Sequence, residues 1–124
     1  MAGIGYVTVG VNDMEKAMAF YDGLFAMIGG KRAMKTPKGQ MYVFGSGPMF
    51  LVTAPFDGQA ATHGNGAMTA IQVDSKDQVA ALHAKAIELG GTCDGKPGPR
   101  GAFGTFSYFR DPDGNKLAAF VMGQ

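Results

Sequence analysis

A chain of 124 residues has room for one domain, long enough to bury roughly two-thirds of its unfolded surface without a staple. Its 11 basic and 10 acidic residues leave a net charge of +1, too little to drive general nucleic-acid or anionic-membrane binding. One cysteine excludes an internal disulfide, and no apolar run approaches the ~20 residues needed to span a bilayer. The opening MAGIGYVTVG shows neither a basic leader nor a signal-like apolar run, so a cytoplasmic protein is expected.

The first strand is expected from Tyr6 to Val11. Val7, Val9 and Val11 share one face, against a helix, and Tyr6, Thr8 and Gly10 the other. Asn12 reads as a helix N-cap, with Glu15 three residues on. Met14, Ala17, Met18, Tyr21, Leu24, Phe25 and Ile28 then form one apolar stripe, which Gly29 and Gly30 stop. Strands are expected over Lys31 to Thr36, Gln40 to Phe44 and Met49 to Ala54, separated by turns at Pro37-Lys38-Gly39 and Gly45 to Pro48. The segment Pro55 to Gly66 reads as a linker. A second strand–helix unit follows: Met68 to Val73, a cap at Asp74 or Ser75, and a stripe of Val79, Leu82, Ala86 and Leu89 ended by Gly90 and Gly91. A short strand near Thr92 to Asp94, a Gly/Pro-rich loop from Gly95 to Gly104, and strands at Thr105 to Arg110 and Lys116 to Met122 complete the chain. Most of the 9 methionines are expected to fill the core.

An offset of 62 residues sets Val9 on Ile71, Val11 on Val73, Asn12 on Asp74 and Phe20 on Leu82. Matched order and patterning indicate a duplicated β-α-β-β-β unit, with modules at about 1–58 and 63–124 of a single 1–124 domain. The expected class is α+β: a half-open, cup-shaped sheet with the helices outside. Met68, Ala70 and Gln72, and Lys116, Ala118 and Phe120, are the residues expected to face the cup.

Tyr6-Val7-Thr8-Val9-Gly10-Val11-Asn12-Asp13 followed by Ala19-Phe20-Tyr21, then Gly64-Asn65-Gly66-Ala67-Met68, then Asp111-Pro112-Asp113-Gly114-Asn115 occur in the order seen in one family. The chain resembles the vicinal oxygen chelate superfamily, the glyoxalase, bleomycin-resistance and extradiol-dioxygenase group. The resemblance covers nearly the whole chain. It implies a cup that binds a small molecule, commonly completed in a homodimer, and in the enzymes of the group a divalent metal held by His, Glu or Gln. Carried over residue by residue, those metal positions fall on Tyr6, Met68 and Ala118, and the fourth falls near Leu51. None is a normal ligand for a divalent ion, so no metal and no cofactor are expected. Of the two histidines, His83 is expected on the second helix outside the cup, and His63 in the linker.

The residues expected to line a ligand site are Tyr6, Met68, Arg100, Phe106, Tyr108, Arg110, Ala118 and Phe120. Phe106, Tyr108 and Arg110 alternate on one strand face, where an arginine beside two aromatics suits a carboxylate or carbonyl. If that face is not the cup, Arg110 is a structural ion-pair partner. Cys93 is expected as a small buried hydrophobe, and Lys31, Arg32, Lys35 and Lys38 as a solvated strand edge. The function expected is binding of a small, partly apolar molecule without metal, with no nucleic-acid or membrane partner. The alternatives are a glyoxalase-like lyase, isomerase or dioxygenase with displaced metal ligands or none, and a domain used for protein interaction.

Overall fold

The computed structural model describes residues 2–123; Met1 and Gln124, the two ends of the expected span, lie outside the described residues. The chain runs β1 (Tyr6–Gly10), α1 (Met14–Ala26), β2 (Lys31–Thr36), β3 (Gly39–Val43), β4 (Met49–Thr53), β5 (Thr69–Gln72), α2 (Lys76–Glu88), β6 (Thr92–Arg100), β7 (Gly104–Arg110) and β8 (Lys116–Met122). The strands form two four-stranded mixed sheets, ordered β1-β4-β3-β2 and β5-β8-β7-β6. The architecture is therefore α+β, open rather than closed.

Register makes the internal repeat explicit. β1 runs parallel to β4 with Thr8 opposite Leu51, and β5 runs parallel to β8 with Ala70 opposite Ala118. Thr8 and Ala70 are related by the 62-residue offset. Leu51 and Ala118 are therefore equivalent positions of the two sheets, as are Tyr6 and Met68.

Alternation decides which face of each sheet is buried. Val9, Val11, Tyr42, Phe50 and Val52 from the first sheet join Phe20, Tyr21, Leu24 and Phe25 of α1 in one core. Val73, Val79, Leu82, Phe109, Leu117, Ala119 and Val121 continue the same core across α2 and the second sheet. The helices thus pack on the outer faces, leaving the opposite faces to form the cup. Of the methionines, Met41 is buried and Met14 packs on the core, but Met27, Met34, Met68 and Met122 are exposed, contrary to the expectation that most fill it.

The two halves are held together at the turn before β8. Asp111, although 2% exposed, accepts from the Tyr21 hydroxyl of α1 at 2.7 Å. It also accepts from the backbone N–H groups of Asp113 and Asn115, each at 2.9 Å. Asn115 Nδ2 donates to Asp111 and, across the halves, to the Gly10 carbonyl, each at 2.9 Å. A buried carboxylate is tolerated when its lone pairs are filled in this way.

Two local readings are corrected. The cap of α1 is Asp13, whose side chain accepts from Lys16 N, and not Asn12. Asn12 instead exchanges two hydrogen bonds with the backbone of Ala61 and donates its own N–H to Asp113. Tertiary partners thus outcompete the local cap. The second correction is β6, which continues through Arg100 rather than ending near Asp94. As the outer strand of its sheet it tolerates Pro97 and Pro99, because the missing N–H groups cost no pairing on the free edge. Its register shifts at Cys93/Gly95 and Gly95/Gly98 absorb the irregular sequence as bulges. At the second helix, Ser75 is the cap that forms, accepting from Gln78 N. Among the described residues, no helix is long and apolar enough to cross a membrane.

Candidate functional site

The inner face of the second sheet carries the chemistry. Along β7, Thr105, Ser107 and Phe109 are buried toward the helix side, while Phe106, Tyr108 and Arg110 are half-buried on the other. Pairing with β8 sets Phe106 opposite Phe120, Tyr108 opposite Ala118 and Arg110 opposite Lys116. The Phe106 and Phe120 rings lie nearly parallel, with centroids 5.1 Å apart and planes 12° apart. Phe106 and Tyr108 continue the series at 6.3 Å and 20°. Three aromatic rings thus stand in a row on a face that no helix covers.

Cations border this row. Lys116 Nζ lies 5.1 Å from the Tyr108 ring centroid and Arg100 Cζ lies 5.5 Å from it, both within cation–π range. The Arg100 guanidinium is fixed by its own strand, donating to the carbonyls of Lys96, Gly98 and Pro99. Arg110 donates to the Gly114 carbonyl at 2.9 Å and stands 3.3 Å from Asp94. Lys116 stands 3.2 Å from the same carboxylate. Asp94 is the extra residue at the β6 bulge, between Cys93 paired to Phe109 and Gly95 paired to Tyr108. The bulge turns it toward the two cations, and Lys116 first, then Arg110, hold its carboxyl below the usual carboxylate range.

The remaining expected residues scatter around this row. Tyr6, the first residue of β1, is 55% exposed, and Met68, just before β5, is 47% exposed. Ala118 lies on the inner face but is fully buried. Its directly opposite neighbour is Tyr108, and side chains so paired stand close enough for the ring to cover the methyl. Ala118 is thus a floor residue and not an open position.

Three open hollows lie nearby. One of about 440 Å³ runs between Thr8, Gly10 and the linker from Thr53 to Thr62. A second of about 340 Å³ joins Thr8 and Gly10 to His63, Met68 and Lys116. A third of about 300 Å³ joins His63 and the turn at residues 64–67 to Met68, Arg110 and Lys116. Met68 and Arg110 are the expected site residues that these hollows bring together; Tyr6, Arg100, Phe106, Tyr108, Ala118 and Phe120 line none of the three. Lys116, one of the cup-facing set, and Asp94 join them. Lys116 followed from alternation alone, whereas Asp94 depends on a bulge that no local pattern announces.

His83 is buried beside Phe109 on the outer side, with Nε2 3.3 Å from Cys93 Sγ. Burial lowers its pKa, opposed by a hydrogen bond to the Tyr108 backbone. Cys93 itself is exposed, contrary to the buried position expected, because β6 is an edge strand.

The positions that would hold a divalent ion by family resemblance, Tyr6, Leu51, Met68 and Ala118, offer a phenol, a thioether and two alkyl groups. Among the described residues no three His, Cys, Asp or Glu side chains converge. This donor set does not fit a divalent metal.

The profile of the Glyoxalase/Bleomycin resistance protein/Dioxygenase superfamily matches residues 3–119. No curated protein matches the chain. The solved structure of a glyoxalase/bleomycin resistance protein from Albidiferax ferrireducens T118 is 39% identical, covers 95% of this chain and 97% of its own, and superposes with a TM-score of 0.86. TnmS3, an antibiotic binding protein from Streptomyces sp. CB03234, is 22% identical over 98% of this chain and 97% of its own, with a TM-score of 0.72. The fosfomycin resistance protein FosX from Listeria monocytogenes is 20% identical over 98% and 93%, with a TM-score of 0.73. At those identities the last two likenesses concern the fold.

Proposed function

Since this chain belongs to the Glyoxalase/Bleomycin resistance protein/Dioxygenase superfamily, we propose that it binds a small, partly apolar molecule on the inner face of its second sheet, without a divalent metal. The observation that carries this reading is the uncovered row Phe106, Tyr108 and Phe120. Aromatic rings left partly in water on a rigid sheet offer a stacking surface at little entropic cost, because the strands already fix them. Arg100 and Lys116 at the Tyr108 ring add polar anchors, the mixture that ligand sites commonly show. The antibiotic-binding neighbour of the same fold supports a binding role for such a cup.

A homodimer completes the cup in this reading. β1 and β5 each pair on one side only, and Ile4, Tyr6 and Met68 beside them are exposed apolar side chains. A second copy covers such edges by two-fold symmetry. Light scattering should then give about twice the 12.9 kDa chain mass; a value of one chain mass at micromolar concentration would rule the dimer out.

The binding claim is tested by calorimetric titration of metal-stripped protein with a planar neutral probe, 2-naphthamide. Saturable binding is expected, weakened about tenfold or more by Phe120→Ala, since base- or ring-sized stacking contacts contribute about 1–3 kcal/mol each. Unsaturable heats, or unchanged affinity in Phe120→Ala, would contradict it.

A further inference from the structure

The third hollow has a chemistry that the aromatic row alone does not explain. We propose that His63, Arg110 and Lys116 form an anion site that takes the carboxylate of a ligand whose planar body lies on Phe106, Tyr108 and Phe120. The inference rests on the binding reading above and narrows it to a ligand class: small aromatic or conjugated carboxylic acids.

Arg110 and Lys116 face a single carboxylate, Asp94, at 3.3 and 3.2 Å. Two cations against one anion leave a surplus positive charge, and no acidic side chain lines the hollow. The side chains of Arg110, Lys116 and Asp94 are 32%, 31% and 37% exposed, so they remain reachable from solvent. A singly charged carboxylate matches that surplus; a phosphate dianion would exceed it.

Donor counting agrees. Lys116 has three N–H donors and Arg110 five. The contacts of Arg110 are the Gly114 carbonyl and Asp94, and those of Lys116 are Asp94 and the Tyr108 ring. Both retain capacity for a further acceptor. His63 lines the same hollow and adds a ring N–H, with its ring set against the turn at Gly114. Gly114 has φ +90°, and a Cβ there would stand 3.3 Å from the His63 ring. Glycine at 114 therefore serves the turn and lets the imidazole settle against it.

Reach ties the two parts together. Lys116 Nζ lies 5.1 Å from the Tyr108 centroid, so a carboxylate held at about 2.8 Å from that nitrogen is within one small molecule's length of the rings. Met68, at the edge of the same hollow, presents an exposed thioether to the carbon skeleton between them.

The test compares 2-naphthoate with 2-naphthamide, which share a planar body and differ in charge. Titration at low salt should show the naphthoate binding about fivefold to tenfold more tightly. The advantage should disappear in Lys116→Met, which should cost the naphthoate more affinity than the naphthamide. Raising sodium chloride in the wild-type protein should also erode it, through screening, without any substitution. Equal affinity for the two probes in wild-type protein would overturn the anion site and leave the aromatic reading standing. So would a Lys116→Met loss shared equally by both probes. Failure of both probes to bind would overturn both proposals.

Discussion

Removing a single oxygen atom tests whether the turn at Asp111 locks the two halves. In Tyr21→Phe the ring keeps its contacts with Phe20, Phe25 and Phe50, whose centroids lie 4.9, 5.2 and 5.1 Å away. The hydroxyl bond to Asp111 at 2.7 Å is lost. Burial, and then Asp111, raise the Tyr21 pKa well above its ordinary value, so the phenol is a proton donor throughout the working range. A buried hydrogen bond to a charged group contributes about 1.5–3 kcal/mol. Asp111 Oδ2 keeps one donor, Asn115 Nδ2, so the cost should lie near the middle, about 2 kcal/mol. For a chain of 124 residues, an unfolding entropy of about 2.1 cal/mol/K per residue converts this to a fall in Tm of about 8 °C. Tyr42→Phe is the control. Its hydroxyl also bonds a carboxylate at 2.7 Å, but that carboxylate, Asp22, is 40% exposed and already paired to Arg32. The control should cost about 1 kcal/mol or less. Calorimetric melts of the three proteins measure the difference. A Tyr21→Phe protein within about 0.5 kcal/mol of wild type, or no worse than the control, would refute the lock.

Ala118→Trp should destabilise by about 1–3 kcal/mol, because Ala118 is fully buried, opposite Tyr108 in the register; an unchanged melting temperature would show an open cavity there instead. His83 gives a pH signature. Its folded pKa is lowered, so below the ordinary histidine value the unfolded chain takes up the proton first and stability falls on acidification until the lowered folded pKa is passed. Melts between about pH 7.5 and pH 5 should show a smaller fall in His83→Gln than in wild type, and equal slopes would exclude the linkage.

Much of the fold was legible because its signals are local and periodic. Val7, Val9 and Val11 against Tyr6, Thr8 and Gly10 fix the faces of β1, and the 62-residue offset relates β1 to β5 before any contact is known. Phe106, Tyr108 and Arg110 fall on one face of β7 by the same alternation. Features that failed to show are those settled by distant partners. Asn12 reads as a cap until Ala61 and Asp113 claim its hydrogen bonds. Cys93 reads as buried until β6 takes the sheet edge. Ala118 reads as open until the ring of Tyr108 stands across from it. Asp94, the counter-charge that the anion proposal depends on, is aimed by a bulge in a Gly/Pro-rich strand that reads as a loop.

The central claim is metal-independent binding on the inner face of the second sheet, and amide chemical-shift mapping with 2-naphthamide in excess EDTA tests it most directly. The account predicts saturable shifts clustered on β7 and β8 around Phe106, Tyr108 and Phe120, the same with and without the chelator. Shifts confined to other elements, or a response that EDTA abolishes and a divalent ion restores, would contradict it.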